Sequence, residues 1–265
     1  MISLEVLICT YGDRITQIDV AGLPRLDEVA YVVCCQNPKG TAAVPPALAA
    51  RPDISVHFFA DRGLSVNRNH AFDVATAPYV LISDDDISYS AAGLRAIIEA
   101  FGSEEAPDIV TTRSEIPEHH VYPPHGHDLA APYRFYAPIS FEIALRRSAL
   151  EASGLRFPPL AGIGAPFVQC AEEQFFMRRA LAAGLRGKYL DTLVSRHHGP
   201  TTCTRSARQA GVVRGKGAFM TADRGIAGAV LRFPLEAWRS AASAPKAFVW
   251  LWQGLFYYLR HRREL

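Results

Sequence analysis

Four short apolar runs, each ending in polar residues, constrain the fold of residues 1–90 more than any other feature. The runs are "LEVLICT", "VAYVVCCQ", "ISVHFFA" and "YVLIS". Each has the length and composition of a buried strand, and helix-like patterns follow the third and fourth runs. Strands that alternate with helices predict an α/β fold, with a mostly parallel central sheet flanked by helices.

The polar residues after these runs are predicted to meet at one edge of the sheet. Ligands of such sheets bind beyond the carboxyl ends of the strands. The four clusters are Tyr11 to Arg14, Gln36 and Asn37, Asp61 to Gly63, and Asp84 to Asp86. Because they come from distant parts of the chain, their convergence predicts a ligand site.

Three consecutive aspartates, Asp84, Asp85 and Asp86, follow "YVLIS" directly. Repulsion between like charges and loss of hydration both oppose this placement at the end of a buried strand. One aspartate can cap the next helix, but three exceed that need. Carboxylates suit Mg²⁺ or Mn²⁺, and both ions bridge to diphosphate oxygens. The triplet therefore favours a cation or phosphate site over a solvated turn.

Three further motifs each have a structural and a functional interpretation. Arg68 and Asn69 in "GLSVNRNHAF" either face solvent or face a nucleotide near the start of a helix. Glu172 and Glu173 in "CAEEQFFMRRAL" either favour the helix dipole or supply a general base. His197 follows a predicted strand and is either structural or a metal ligand.

Composition excludes several classes of protein. The net charge of the 265 residues is only +2, which gives no support for nucleic-acid binding. The five cysteines lack the spacing of a disulfide framework or a zinc site, and "HHVYPPHGH" has no regular ligand spacing. The N-terminus has the pattern of a strand and not of a signal peptide, so we expect a cytoplasmic protein.

The segment "APKAFVWLWQGLFYYLRHRREL" is rich in aromatic residues and ends in basic ones. Its apolar part is too short to span a bilayer. It either docks on the protein's own core or lies in the membrane interface, with Trp and Tyr at headgroup depth and Arg on anionic lipid. We favour the second alternative, and we therefore expect a protein that binds peripherally to the inner face of the cell membrane.

The motifs occur in an order that resembles family 2 of the GT-A glycosyltransferases. They are "VLICTYGDR", "GLSVNRNHAFDVATAPYVLISDDDI", "FEIALRRSALEASGLRF", "AGIGAPF", "AEEQFFMRRALAAGL" and "VSRHH". The similarity covers about residues 3–200 and is greatest to a bacterial subgroup with an acidic triplet and a Gly-Glu-Glu motif. It implies a GT-A fold, in which a Rossmann-like nucleotide half is merged with an acceptor half. We therefore predict a domain over 1–225, with halves at about 1–116 and 117–225, and a C-terminal helical extension over 226–265.

The resemblance also implies which residues bind the donor, a nucleotide-diphosphate sugar. Thr10, Tyr11 and Arg14 match the family's first nucleotide-binding loop. Arg68 and Asn69 match its Arg-Asn pair, near the ribose and diphosphate of the donor.

The resemblance places the cation and the base as well. Asp86 matches the metal-bound position, and Asp84 matches the first acidic position, near the ribose and the cation, with Asp85 between them at the donor. His197 matches a late histidine that completes the site for Mn²⁺ or Mg²⁺. Glu173 matches the base, and the preceding glutamate is its neighbour.

Two positions depart from the family pattern. The family often has an aspartate that reads the nucleotide base at the end of the second strand, where this chain has Gln36 or Asn37. The base of the donor therefore stays open. Ala171 replaces the usual glycine before the two glutamates, which is tolerated unless the site needs a positive φ.

These features predict metal-dependent, inverting transfer of a sugar to a hydroxyl of a glycan or lipid-linked acceptor in bacterial surface polysaccharide synthesis. A sugar nucleotidyltransferase is one alternative, but it would have a Gly-rich loop after the first strand, and "CTYGDR" has a single glycine. A non-catalytic protein that binds nucleotide sugars or glycans is the other alternative, and only an activity measurement separates it.

Overall fold

A computed structural model describes residues 1–117, 122–129, 137–199, 209–240 and 243–265. Within these ranges the chain forms two compact units. The first unit contains residues 1–62, 66–156 and 178–199, and the second contains 63–65, 157–177 and the described residues from 209 onward. Part of the stretch "HHVYPPHGH" and parts of the predicted acceptor half lie outside the described residues.

The first unit is built on one mixed sheet of nine strands. The strands are β1 (Leu4–Tyr11), β2 (Val29–Gln36), β3 (Ile54–Phe59), β4 (Tyr79–Asp84), β5 (Ile87–Tyr89), β6 (Ile109–Glu115), β7 (His127–Leu129), β8 (Ile143–Arg146) and β9 (Gly187–His197). Their order in the sheet is β3-β2-β1-β4-β8-β6-β9-β5, and β7 pairs with β9.

The four strands predicted from the apolar runs form a continuous parallel block at one side of this sheet. Strand β1 lies between β2 and β4, and β3 pairs with β2 on the outer side. All residues from Leu4 to Thr10 are buried, as expected for a parallel strand covered on both faces. The predicted α/β fold is therefore confirmed, and β1, β2 and β4 end at the same edge.

The other strands mix parallel and antiparallel pairing. Strand β8 runs antiparallel to both β4 and β6, whereas β6 and β9 are parallel. The short strand β5 pairs antiparallel with the end of β9, and Ile87 is the partner of His197. This pairing brings the chain just after the three aspartates beside the end of β9.

Helices and short 3₁₀ turns connect the strands. The helices are α1 (Pro46–Ala49), α2 (Leu64–Val74), α3 (Ala91–Gly102), α4 (Arg147–Ser153) and α5 (Glu172–Ala182), and the 3₁₀ turns are Gly12–Gln17, Val20–Gly22 and Ser140–Glu142. Helix α3 illustrates the local sequence logic. The side chain of Ser90 accepts a hydrogen bond from the amide of Gly93 and caps the helix, and Leu94, Ile97 and Phe101 turn to the core.

The second unit ends in helices α6 (Ala210–Arg239) and α7 (Ala244–His261). Helix α6 is not continuous, because Gly225 has φ of 71° and ψ of 174°. Lys216 and Glu236 form an ion pair at 2.9 Å, although a straight helix would hold residues twenty positions apart at about 30 Å. The chain therefore reverses at Gly225, and its arms over 210–224 and 226–239 lie side by side.

Helix α7 packs against both arms of α6. Leu251 and Leu255 share an apolar cluster with Phe233 on the second arm. On the first arm, a Cβ added to Gly217 would clash with the backbone at Leu251. The predicted C-terminal helical extension is therefore present. No helix within the described ranges is both long and apolar enough to cross a membrane.

Candidate functional site

Asp85 connects the end of β4 to the loop after β1. Its side chain is only 6% exposed and accepts hydrogen bonds from Thr10 Oγ1 at 2.5 Å and from Arg14 Nε at 2.9 Å. A second guanidinium nitrogen of Arg14 also contacts it. Its hydrogen bond raises the pKa of Arg14, so this cation is held firmly charged. Asp85 therefore faces the protein and fixes Arg14 at the edge of the sheet.

Asp84 contacts a buried arginine. Arg68 is 1% exposed, and its Nη2 lies 3.3 Å from Asp84 Oδ1. Ser140 Oγ donates a hydrogen bond to the other oxygen, Oδ2, at 3.0 Å. A buried cation is stable only beside such a partner. The carboxylate of Asp84 is thus oriented by two protein groups, and about a quarter of it stays exposed.

Asp86 and His197 come together through the pairing of β5 with β9. His197 Nε2 lies 3.3 Å from Asp86 Oδ1, and the amide of His198 donates to the carbonyl oxygen of Asp86 at 3.2 Å. The other ring nitrogen of His197, Nδ1, is in hydrogen-bond contact with the carbonyl oxygen of Gly199, which can only accept. The amide N–H of Gly199 also approaches Nδ1, at 3.2 Å. In the tautomer that is protonated on Nδ1, the neutral ring turns the lone pair of Nε2 toward a carboxylate.

Two acceptors at 3.3 Å repel each other unless a proton or a cation lies between them. The hydrogen bond to Asp86 raises the pKa of His197, which is the response expected when a proton fills this position. Oxygen and nitrogen ligands bind divalent ions at about 2.1 Å, so one ion can contact both atoms. The pair therefore suits a cation as well as a proton.

Asp86 and His197 supply only part of a coordination shell. In the part of the chain that the structure describes, no three His, Cys, Asp or Glu side chains are grouped to hold a metal ion. Mg²⁺ in proteins usually keeps several waters and is bound by one or two carboxylates together with substrate phosphates. The donor set fits Mg²⁺ or Mn²⁺ that shares its shell with a phosphate group.

Asn67 belongs to this edge, although the sequence analysis did not single it out. It is 2% exposed, and its Nδ2 donates to the carbonyl oxygens of Cys34 at 2.9 Å and Thr10 at 3.2 Å. It thus joins the ends of β1 and β2. Asn69, the site residue that the sequence predicted two positions later, is only half-buried. The adjacent polar residues Asn67 and Arg68 on a buried helix face are the signal that could have identified it.

Gln36 at the end of β2 is held by a carboxylate from the segment after β3. Its Nε2 donates to Asp61 Oδ1 at 2.8 Å, and Asp61 Oδ2 lies 2.5 Å from Nε2 of His70. Burial alone would raise the pKa of Asp61, but the hydrogen bonds from His70 and Gln36 outweigh burial and lower it. His70 also stacks on Phe59, with ring centroids 4.1 Å apart. The carboxylate of Asp61 therefore lies beside the end of β2, the strand end at which the family pattern often has an aspartate.

Tyr11 ends β1 with its ring partly open to solvent. Tyr11 is 42% exposed, and the guanidinium carbon of Arg62 lies 6.0 Å from the centroid of its ring. An exposed aromatic ring at a strand end can stack on a planar ligand group.

The two glutamates lie in the second unit, in the first turn of α5. Glu172 is 4% exposed, and its carboxyl carbon would be 3.0 Å from a Cβ placed on Gly162, which has φ of 99°. Glu173 is only half-buried. Ala171 before them has φ of 69°, the left-handed conformation in which glycine is normally found. The departure at Ala171 therefore falls on a position that does need a positive φ.

Sequence comparison gives a family. The profile of "Glycosyl transferase family 2" matches residues 30–161, a range that includes β3, β4, the three aspartates and all of β2 but its first residue. No curated protein sequence matches the chain significantly.

Comparison of folds gives matches over nearly the whole chain. S. aureus TarS 1–349 superimposes with a TM-score of 0.60 at 14% identity, over 98% of this chain and 92% of that one. TarS 1–349 in complex with UDP-GlcNAc gives 0.60 at 16% identity, over 94% and 73%. The mannosyltransferase PcManGT from Pyrobaculum calidifontis, in complex with GDP-Man and Mn²⁺, gives 0.59 at 16% identity, over 93% and 73%. These likenesses establish a shared fold.

Proposed function

The chain belongs to glycosyl transferase family 2, and we propose that it transfers a sugar from a nucleotide-diphosphate donor to a hydroxyl of a glycan or lipid-linked acceptor. We place this reaction in the assembly of bacterial surface polysaccharide, with inversion at the anomeric carbon and with Mn²⁺ or Mg²⁺ as cofactor. The proposal is supported by the family and by the resemblance of this chain to a subgroup with an acidic triplet. It is also supported by two similar solved structures, one in complex with UDP-GlcNAc and one in complex with GDP-Man and Mn²⁺.

One observation carries the metal and donor part of the proposal. Asp86 Oδ1 and His197 Nε2 face each other at 3.3 Å near the carboxyl ends of the parallel strands, the edge at which ligands of such sheets bind. A carboxylate and a histidine ring nitrogen at this distance suit a positive charge between them, which is either a proton or a divalent ion. The same edge carries the cations Arg14 and Arg68, which suit a diphosphate.

The remaining donor contacts follow from the edge of the sheet. We assign the ribose side to Asp84, and the nucleotide to Thr10, Tyr11, Gln36 and Asn69. Asp85 holds Arg14 in place and so acts on the donor through it. Held by Asp86 and His197, the divalent ion would offset the negative charge that develops on the departing diphosphate.

Glu173 is the proposed general base. It is half-exposed at the start of α5, whereas Glu172 is 4% exposed. A carboxylate that takes the proton of the attacking hydroxyl has to reach that hydroxyl, so the more accessible residue is the better candidate. Direct displacement with one base gives inversion, whereas retaining glycosidases use two carboxylates that flank the scissile bond.

A thermal-shift screen of nucleoside diphosphates with and without Mn²⁺ tests the donor site. A ligand that binds only the folded state raises the unfolding temperature. We expect one diphosphate to stabilise the protein in the presence of Mn²⁺, and Asp86→Ala to remove that dependence on the metal. Asp27→Ala is the matched control, because Asp27 is an exposed carboxylate in the turn before β2, away from the carboxyl ends of the strands. If Asp86→Ala keeps the dependence, the cation binds elsewhere.

Release of the diphosphate from the corresponding sugar donor tests the base. Glu173→Gln should lower turnover by about 10²- to 10⁴-fold and leave the thermal shift intact. Glu99→Gln, at an exposed position of α3, should change neither. If Glu172→Gln abolishes turnover and Glu173→Gln does not, the assignment is reversed. A stabilising donor without turnover in the wild type would favour a binding protein.

A further inference from the structure

The helical hairpin at the C-terminal end exposes large apolar side chains along one side of each helix. On the second arm of α6 they are Leu231, Leu235 and Trp238, and on α7 they are Val249, Phe256 and Leu259. We define these six residues as the outer stripe. Leu231 is 82% exposed and Trp238 is 76% exposed. We propose that the outer stripe and its neighbouring cations bind the surface of an anionic lipid bilayer.

The spacing places each group on one helix face. Leu231, Leu235 and Trp238 follow one another at intervals of four and three residues, which is one stripe of an α-helix. On α7, Phe256 and Leu259 lie three apart, and Val249 is seven residues before Phe256. The exposed apolar residues are therefore arranged as two continuous stripes and not scattered singly.

These stripes are not needed for packing within the unit. The opposite faces already bury Phe233 and Ala237 on α6 and Leu251 and Leu255 on α7, all at most 3% exposed. A helix that is apolar on its packed face and apolar again on its outer face has a second contact to satisfy. The outer stripe is that second contact.

Charge decides which partner the stripe fits. The range 226–265 contains six Lys and Arg residues and only two carboxylate side chains, so its formal charge is +4 while the whole chain carries +2. Both carboxylates have partners within the unit, because Glu236 pairs with Lys216 and Glu264 with His261. The cations flanking the stripe are Arg232, Arg239, Lys246, Arg260, Arg262 and Arg263.

A second copy of the chain would fit this surface poorly. A symmetric contact through the outer stripe would bring the two sets of cations close together, and like charges at close range oppose association. Anionic lipid headgroups complement the cations, and Trp238 has the amphipathic ring that favours headgroup depth. Since no helix in the described ranges is long and apolar enough to span a bilayer, the hairpin would lie in the interface plane.

The proposal is tested with the full chain by sedimentation with vesicles. The probes are vesicles of equimolar phosphatidylglycerol and phosphatidylcholine, and vesicles of phosphatidylcholine alone. We expect binding to the anionic vesicles that weakens as salt is added. The double substitution Leu231→Ser with Trp238→Ser should lower the affinity at least tenfold, because each side chain loses the burial that the membrane provides.

Two controls separate specific from general effects. Leu193 is 54% exposed on β9, and Leu193→Ser should leave vesicle binding unchanged. Arg262→Glu with Arg263→Glu should abolish the preference for anionic vesicles, whereas Lys39→Glu, in an exposed turn of the first unit, should keep it. Because Leu231 and Trp238 are so exposed, their loss should leave the circular dichroism spectrum and unfolding temperature of the protein unchanged.

Three outcomes would overturn the inference. They are no binding to anionic vesicles, equal binding to neutral vesicles, and unchanged binding after the double substitution. Sedimentation equilibrium of the protein without lipid adds a fourth, because a dimer that Leu231→Ser with Trp238→Ser dissociates would assign the stripe to a second copy. This inference does not depend on the proposed transfer reaction, since the assay reads binding alone.

Discussion

Replacing Ala171 by glycine tests whether the turn before α5 holds a strained alanine. Ala171 has φ of 69°, and its methyl group is 8% exposed within an apolar cluster of the second unit. An L-residue in the left-handed region is destabilised by contact between its Cβ and the backbone. Glycine has no Cβ, so Ala171→Gly removes this contact without otherwise changing the sequence of the turn.

The expected change in unfolding free energy is close to zero. Relief of the left-handed strain contributes about 1–2 kcal/mol. Loss of the buried methyl group costs about 0.8 kcal/mol. The greater freedom of glycine in the unfolded chain costs a further 0.5–1 kcal/mol or so. Gain and losses nearly cancel. The same change at Ala161 has no strain to relieve and should cost about 1.5 kcal/mol.

Ala161 is a matched control, because it lies in the same apolar cluster, is 1% exposed and lacks a positive φ. Urea denaturation followed by tryptophan fluorescence suits this comparison, since all three tryptophans lie in the same unit, at positions 238, 250 and 252. We expect Ala161→Gly to lower the midpoint and Ala171→Gly to leave it nearly unchanged, with equal slopes. Equal losses in the two variants would refute strain at Ala171.

Three further substitutions have expected outcomes. Asp85→Asn should lower the unfolding free energy by about 2–3 kcal/mol, because it removes charge-assisted hydrogen bonds from Arg14. The loss is limited to this size because the side chain of Arg14 is half-exposed and stays hydrated without its partner. Hydrogen exchange of β1 and β4 amides measures this loss, and an equal loss in Asp13→Asn would contradict it. The hydrogen bond from the buried Arg51 lowers the pKa of Asp53 below 3.8. The stability that this pair contributes is therefore present above pH 3.8 and is lost as the pH falls through the lowered pKa. Asp53→Asn should therefore flatten the acid side of the stability profile, and an unchanged profile would count against it. Gly254→Ala places a Cβ against a backbone carbonyl of α6 and should lower the unfolding free energy of the second unit by about 3 kcal/mol, which an unchanged fluorescence midpoint would disprove.

The parallel half of the sheet was predictable because each of its strands carries its own signal. The runs that contain Leu4, Val29, Ile54 and Tyr79 are short, apolar and followed by polar residues. Parallel connection then determines that their carboxyl ends meet at one edge. The family assignment was also confirmed, because it rests on the order of several motifs and not on one.

The pairing of β5 with β9 was not predictable from local pattern. Only three residues, Ile87 to Tyr89, form β5, and nothing in them specifies His197 as a partner. The reversal at Gly225 was hidden for a similar reason, because a single glycine inside a helical pattern does not distinguish a tolerated glycine from a turn. Both depend on contacts between residues distant in sequence.

The site residues show the same difference between features set by local sequence and features set by contacts with distant residues. Residue type and position placed Asp85 at the edge of the sheet, but its inward orientation depends on Thr10 and Arg14, which come from another strand end. Asn67 was not singled out, because the backbone carbonyls that accept its hydrogen bonds belong to two other strands and become its neighbours only in the fold. The roles assigned to the donor residues, the cation ligands and the base stay predictions.

The pairing of β5 with β9 also sets when Asp86 and His197 can come together during protein synthesis. Ser88 and His198, which hydrogen-bond across this pairing, lie 110 positions apart in the chain. At the usual 5–20 residues per second, the ribosome needs roughly 5–20 s to make the intervening chain. The first four strands can pair within that interval, since they adjoin in the sheet and are made early. Asp86 therefore meets His197 only after β9 emerges, and under the proposed function the affinity for a cation would appear late, once the sheet is complete.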